Sequence, residues 1–304
     1  TELLWAFEGI TSYYDELALA RAGVLRPEEY LDMLASTVTR LLRNPGQRRQ
    51  SLAASSFDAW TKFYKQDENG PNAIVSYYTK GTLVALGLDL VLREASGDAL
   101  SLDDLMRRLW IRYGTGVSGI AERGVELEVA ALLGKPLDEF FQAYVYGTVE
   151  LPLESWFGKL GIGYRARAAV SQDDQGGYQP QAPVDPPARA LGARYELQPA
   201  GLRITHVLSG TAAQRAGLAP GDLMVALDGE RITQANLADL MRRAAGEEVE
   251  IHYFHRDRLT VSMLPLEPAP ADTCDLWLLP SHEVDSVVSM RRNAWLRSAR
   301  SSGA

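Results

Sequence analysis

Up to about residue 160, apolar residues recur at helical spacing. After residue 189 they fall into short alternating runs, and this change of period limits the fold to two separately built parts. In front, Leu3, Leu4, Phe7, Ile10, Tyr14 and Leu17 trace one helix that Gly23 stops, and Arg26-Pro27-Glu28-Glu29 opens a second that Asn44-Pro45-Gly46 breaks. A short helix near 51–60, a polar loop over 65–71 and a buried helix over 77–94 follow. Ser101-Leu102-Asp103-Asp104 caps the next helix, and further helices are expected near 124–133, 136–146 and 150–160. Residues 168–188 are rich in Gln, Asp, Gly and Pro. Behind them, strands are expected at 202–208, 223–227, 249–254 and 259–264, with short helices at 211–216 and 233–244. The layout is multidomain: an all-α part over 1–165, a linker or surface excursion over 166–188 and a small β-rich domain with two short helices over 189–268. A tail over 269–304 could pack back on the helices.

The hydrophobic share of 46% and charged share of 23% match a soluble globular chain. The longest apolar stretch, Leu83 to Leu92, is interrupted by Gly87 and Asp89, which excludes a membrane-spanning helix. Residues 1–188 hold 18 Lys and Arg against 25 Asp and Glu. That balance argues against nucleic acid, which needs clustered cations, and solvated carboxylates account for most of it. The single cysteine, Cys274, excludes a disulfide framework and a thiolate zinc cluster; it reads as a buried or incidental thiol in an irregular segment. The chain opens without Met, on Thr1-Glu2-Leu3-Leu4-Trp5-Ala6-Phe7, like a helix already under way. It reads as a piece of a longer protein without its targeting region, so the compartment is open, with the cytoplasm favoured.

In the rear part, the run Gly210-Thr211-Ala212-Ala213-Gln214-Arg215-Ala216-Gly217-Leu218-Ala219-Pro220-Gly221-Asp222 carries the most information. Small Ala212 and Ala213 let a short helix lie close to a sheet, and Gly217 ends that helix in the left-handed region. Pro220-Gly221 turns into the strand Leu223–Leu227, and Asp228-Gly229 is a type I′ hairpin signal. The segment resembles a bacterial PDZ domain. That resemblance implies a peptide added to one sheet edge beside the 233–244 helix, with backbone amides near Leu191 and Gly192 holding its terminal carboxylate. Ala190-Leu191-Gly192-Ala193 departs from the usual Gly-Leu-Gly-Phe of that loop. Leu237 and Met241 either line the side-chain groove or pack the core.

In the front part, Leu4-Trp5-Ala6-Phe7-Glu8-Gly9-Ile10-Thr11-Ser12-Tyr13-Tyr14 puts a glutamate inside an apolar helical stretch, where burial is costly unless the charge is paired or binds a metal; otherwise it is simply solvated. Ser76-Tyr77-Tyr78-Thr79-Lys80-Gly81 opens the buried helix. With Ser51-Leu52-Ala53, Asp58-Ala59-Trp60 and Asp67-Glu68-Asn69, these segments resemble the glycyl aminopeptidase-like zinc metallopeptidases, gluzincins with an aminopeptidase N-like catalytic subdomain. The resemblance implies that Glu8 is the third zinc ligand and that Tyr78, with Tyr77 as its rival, hydrogen-bonds the oxyanion formed at a peptide carbonyl. It also implies peptide substrates with small N-terminal residues. The chain lacks His-Glu-x-x-His: its histidines are His206, His252, His255 and His282, and His252 and His255 sit three apart in an alternating run that sends them to opposite faces. One carboxylate does not hold zinc, so the chain alone is expected to be inactive. The alternatives are a non-catalytic PDZ adaptor that recruits peptides and a degenerate peptidase without zinc.

Overall fold

The computed structural model describes residues 1–304 apart from 115, 117, 172, 180–188, 244–247 and 297–304. The front is built from α1 (Leu4–Arg21), α2 (Pro27–Leu42), α3 (Leu52–Phe57), α4 (Gly70–Ala73), α5 (Thr79–Ala95), α6 (Leu102–Leu109), α7 (Gly124–Leu133), α8 (Asp138–Phe141) and α9 (Leu153–Lys159). The helix ends are capped locally. Gly23 and Gly134 turn left-handed at φ 74° and 71°, Ser51 Oγ accepts the Ala54 N–H at 3.1 Å, and Asp104 closes a capping box on Ser101. After α6 and α8 the chain widens into π turns at Trp110–Gly114 and Gln142–Tyr146, which helical periodicity does not distinguish from α-helix.

Helix α5 runs through the centre of the front core, with Leu83, Val84, Leu86, Leu88, Leu90 and Leu92 at 0–1% exposure. Its one interior carboxylate, Asp89, is satisfied on all sides: it accepts from Tyr13 Oη (2.7 Å), Leu102 N (2.8 Å) and Arg93 Nε (3.2 Å). A buried charge persists in a core on those terms. Against α1, the same helix makes a closer approach. A Cβ placed on Gly9 would lie 2.6 Å from the Gly81 Cα, and one on Gly81 would lie 2.9 Å from the Gly9 Cα and 3.0 Å from the Trp5 carbonyl oxygen. The two backbones therefore touch at a pair of glycines.

The front also holds a two-stranded sheet outside its helical pattern. Strand β1 (Ile162–Arg167) follows α9, and the chain then departs into the β-rich domain. That domain comprises β2 (Arg189–Ala190), β3 (Ala193–Gln198), β4 (Gly201–Val207), α10 (Ala212–Arg215), β5 (Leu223–Leu227), β6 (Glu230–Arg231), α11 (Leu237–Arg243), β7 (Glu248–His255), β8 (Arg258–Pro265) and β9 (Glu267–Pro268). Its main sheet runs β3-β4-β5-β7-β8, with β6 beside β5, over its own core of Leu202, Ile204, Leu227, Ile251 and Leu264. Asp228 and Gly229 both take positive φ, 51° and 74°, as a type I′ turn requires, and Gly217 closes α10 at φ 80°. The chain then returns as β10 (Thr273–Leu278), antiparallel to β1 from Ile162↔Leu278 to Arg167↔Thr273, and ends in α12 (Ser286–Leu296).

This return corrects one reading. Cys274 lies in β10 at 0% exposure rather than in an irregular segment, and burial pushes its thiol pKa up. The strand went unread because Thr273, Cys274, Asp275 and Leu276 are all buried, so no polar alternation marks it. Asp275 is held there by Arg167 Nε at 2.8 Å and by Arg165. Residues 173–179, read as part of a linker or surface excursion, are docked as an excursion on α2 and β10: Tyr178 N–H donates to Asp32 Oδ1 (2.9 Å) and Gly177 N–H to the Cys274 carbonyl (3.0 Å). Residues 180–188 lie outside the described residues. The C-terminal stretch packs on the front through Trp295, 1% exposed, whose Nε1 donates to Tyr13 Oη at 2.8 Å.

The glycine contact yields a stability prediction. Gly9→Ala should cost about 1–3 kcal/mol in a denaturant titration, because the new methyl meets backbone that cannot rotate away. A loss below about 0.5 kcal/mol would show that the helices are free to separate there.

Candidate functional site

Glu8 precedes Gly9 on α1, and Tyr78 sits one turn before Gly81 as the N-cap residue of α5. The glycine contact thus brings the segments that carry Glu8 and Tyr78 together. Glu8 is half-buried, and its negative field reaches the phenols of Tyr78 and Tyr64, a smaller contribution on each that opposes ionisation. The carboxylate and the two phenols therefore lie within electrostatic reach of one another.

Three tyrosines meet there. Tyr77, 1% exposed, donates its hydroxyl proton to Tyr64 Oη at 3.1 Å, and Tyr64 Oη lies 3.2 Å from Tyr78 Oη. The Tyr77 and Tyr78 rings stack at 4.7 Å, Phe63 lies 4.8 Å from Tyr77, and exposed Trp60 stacks on Tyr64 at 5.1 Å. The hydrogen bond to Tyr64, then burial, pushes the Tyr78 phenol up to about 12, against an opposing contribution from Tyr77. Burial first, then the Tyr64 bond, raises Tyr77 further. Tyr64 moves the other way: its hydrogen bonds with Tyr77 and then with Tyr78 lower its pKa. Tyr77 and Tyr78, rivals in the sequence, differ in access: Tyr77 is enclosed with its hydroxyl committed, and Tyr78 is half-exposed. Tyr64 escaped the sequence reading. Its one local signal is the Phe63-Tyr64 pair at the edge of the polar loop.

Of the residues read for metal binding, only Glu8 is within reach of these phenols. His206 lies on β4, His252 and His255 on β7, and His282 after β10. His255 Nδ1 is engaged with Asp222 Oδ1 at 2.8 Å. Among the described residues no group of three or more His, Cys, Asp or Glu could hold a metal ion.

In the rear domain, Leu191 is 4% exposed within the core, and its carbonyl accepts the Ala213 N–H at 2.9 Å. Gly192 is left-handed at φ 74°, and a Cβ there would lie 2.1 Å from the Thr211 Cβ, so the close turn into β3 needs glycine. Leu237 and Met241 on α11 are partly buried against the same core. Strand β3 ends the sheet order among the described residues, which makes it the edge beside Leu191 and Gly192. Asn72 ties this domain to the front, donating to the Val207 carbonyl and accepting the Ser209 N–H, both at 2.8 Å. A cavity of about 620 Å³ lies at the junction, between Arg43, Ser76 and Thr79 on one side and Ala193 and Arg194 on the other. Neither Glu8 nor Tyr78 lines it. No described helix is long and apolar enough to cross a membrane.

Residues 1–84 match the M61 glycyl aminopeptidase family, and residues 203–252 match the PDZ domain. The chain is similar to the solved structure of an aminopeptidase N family protein from Idiomarina loihiensis. Identity is 33% and the TM-score 0.87, over 98% of this chain and 49% of that one, so this chain spans about half the length of that relative. A PDZ domain protein from Parabacteroides distasonis aligns at 14% identity and TM-score 0.24, over 28% of this chain and 20% of its own. No curated protein matches the chain. The resemblances carried by residues 4–14, 76–81 and 210–222 hold: residues 1–84 are glycyl aminopeptidase-like and the rear domain is PDZ-like.

Lys80, between Tyr78 and Gly81, is 1% exposed, and its ammonium has no hydrogen bond or ion pair among the described residues. Burial lowers its pKa from 10.5 to about 8. Between those values the unfolded chain binds more protons than the folded one, so stability rises with pH. Unfolding free energy should climb by roughly 1–3 kcal/mol from about pH 8 to pH 10, and Lys80→Met should flatten the climb. An equal climb in both proteins would assign it to other groups.

Proposed function

We propose, from a glycyl aminopeptidase-like front and a PDZ domain behind it, that this chain carries one half of a zinc-dependent aminopeptidase that releases N-terminal residues from peptides. The observation that supports this reading is the Gly9–Gly81 contact, which brings the segments of Glu8 and Tyr78 together, with the Glu8 carboxylate within electrostatic reach of the Tyr78 phenol. Glu8 would give zinc one carboxylate oxygen, with the remaining ligands and the general base coming from sequence outside these 304 residues. When bound, zinc supplies a Lewis acid for the peptide carbonyl and lowers the pKa of water.

Tyr78 has the chemistry for the other side of the carbonyl. Its phenol stays protonated through neutral pH, is half-exposed, and can donate a hydrogen bond to the negative charge that develops on the carbonyl oxygen. Such a bond is stronger once charge has developed than in the ground state, so it lowers the barrier rather than merely tightening binding. The PDZ domain would take an extended peptide along β3, with its C-terminal carboxylate at the turn of Leu191 and Gly192 and a side chain near Leu237 and Met241. On this reading the 304-residue chain alone is inactive.

In the zinc-loaded full-length enzyme, Glu8→Gln should lose bound zinc, measured by metal analysis after dialysis. Tyr78→Phe should keep zinc and lose roughly 10²–10³-fold in kcat. Full zinc in the first variant or near-normal turnover in the second would sink the corresponding assignment. If the intact protein neither binds zinc nor cleaves peptides, the adaptor reading takes its place. For the PDZ domain, titration with a peptide bearing a free C-terminus should give tighter binding than its amidated form, and equal affinities would remove the carboxylate from recognition.

A further inference from the structure

We infer that Tyr64 is a positioning residue for Tyr78: its hydroxyl, lying between those of Tyr77 and Tyr78, donates to Tyr78 and leaves the Tyr78 proton free for the substrate oxygen. This rests on Tyr78 being the oxyanion donor, and it adds a residue that neither motif contains.

Proton counting carries the argument. Each phenol has one proton, and three phenols joined by two hydrogen bonds leave one proton over. Tyr77 is enclosed at 1% exposure, and its hydroxyl donates to the Tyr64 oxygen at 3.1 Å, which commits its proton there. Tyr64 Oη then faces Tyr78 Oη at 3.2 Å, a bond in which either oxygen can donate. When Tyr78 donates a hydrogen bond to an oxyanion, its oxygen can accept one from Tyr64, and the donors line up from Tyr77 to Tyr64 to Tyr78 to substrate with every proton staying on its own phenol. A hydroxyl that accepts a hydrogen bond becomes a better donor, so the alignment strengthens the last bond as well as aiming it.

The surroundings hold Tyr64 in that place without touching its oxygen. Its ring stacks on Trp60 at 5.1 Å and meets Phe63 edge-on at 5.3 Å. The segment is pinned at its start by Lys62 Nζ on Asp58 Oδ2 at 2.6 Å. The Tyr64 ring is half out in solvent at 51% exposure, so its place is not explained by core packing. Removing the hydroxyl alone leaves the ring contacts and breaks the line of donors at its middle.

The test uses Tyr64→Phe on two levels. In the 304-residue chain, the Tyr77 hydroxyl proton should appear as a slowly exchanging resonance in proton NMR and vanish in Tyr64→Phe with the fold intact. In the zinc-loaded full-length enzyme, Tyr64→Phe should lower kcat roughly ten-fold, with KM and zinc content unchanged. Placed on Tyr78→Phe, it should cause no further loss, because the line of donors then has no end. Tyr64→Leu should match Tyr64→Phe in kcat, separating the hydroxyl from the ring. Wild-type turnover in Tyr64→Phe beside a collapsed Tyr78→Phe overturns the inference and leaves the parent reading standing. A loss as large as that of Tyr78→Phe, or one that multiplies with it, makes Tyr64 an independent donor and also overturns it. Near-normal turnover in Tyr78→Phe removes both.

Discussion

Two helices can approach to backbone contact only where neither carries a side chain, and α1 and α5 do so at Gly9 and Gly81. The rest of the site depends on that contact. Glu8 is the residue before the first glycine and Tyr78 lies one helical turn before the second, so their separation is set by main chain rather than by flexible side chains. This gives the Glu-Gly and Lys-Gly pairs in the two motifs a mechanical meaning. In each, the glycine is the bearing, and it fixes the place of Glu8 one residue before it in the first and of Tyr78 one turn before it in the second.

Much of this was legible in the sequence, for identifiable reasons. Gly23 and Ser101 ended and opened helices where read, because caps act within a single turn. Asp228-Gly229 and Gly217 are equally local. Glu8 stood out because a charge in an apolar helix is expensive. The missed features depend on residues far apart in the chain. Strands β1 and β10 pair across the entire PDZ domain, and β10 hides its period because both of its faces are covered. Tyr64 lies in a single 3-10 turn, Phe63–Lys65, whose importance comes from where the Tyr77 and Tyr78 hydroxyls arrive. Leu237 and Met241 could line a groove or pack a core; the structure shows the packing, with the ligand groove left to experiment.

Polar groups in the front domain follow two regimes. Asp89 and Asp275 are buried and fully partnered, and they fasten elements together: α1 to α5 and α6 in one case, β1 to β10 in the other. Glu8 and Tyr78 are half-buried and keep a side toward solvent. Lys80 belongs to neither group, since it is enclosed without a counter-charge beside the reactive turn. Saturated networks make the scaffold rigid, and groups with unused bonding capacity are the ones left for chemistry.

The pairing of Arg167 with Thr273 has a topological consequence. The chain leaves the front domain and re-enters it at adjacent points of a single small sheet, so the PDZ domain is a guest spliced into its host. A guest held by two stems cannot swing through the arc open to a module on a single tether. Asn72 adds a third anchorage. Whatever the guest grips is thereby presented to the host at a nearly fixed range and bearing, and the host closes its own sheet around the splice.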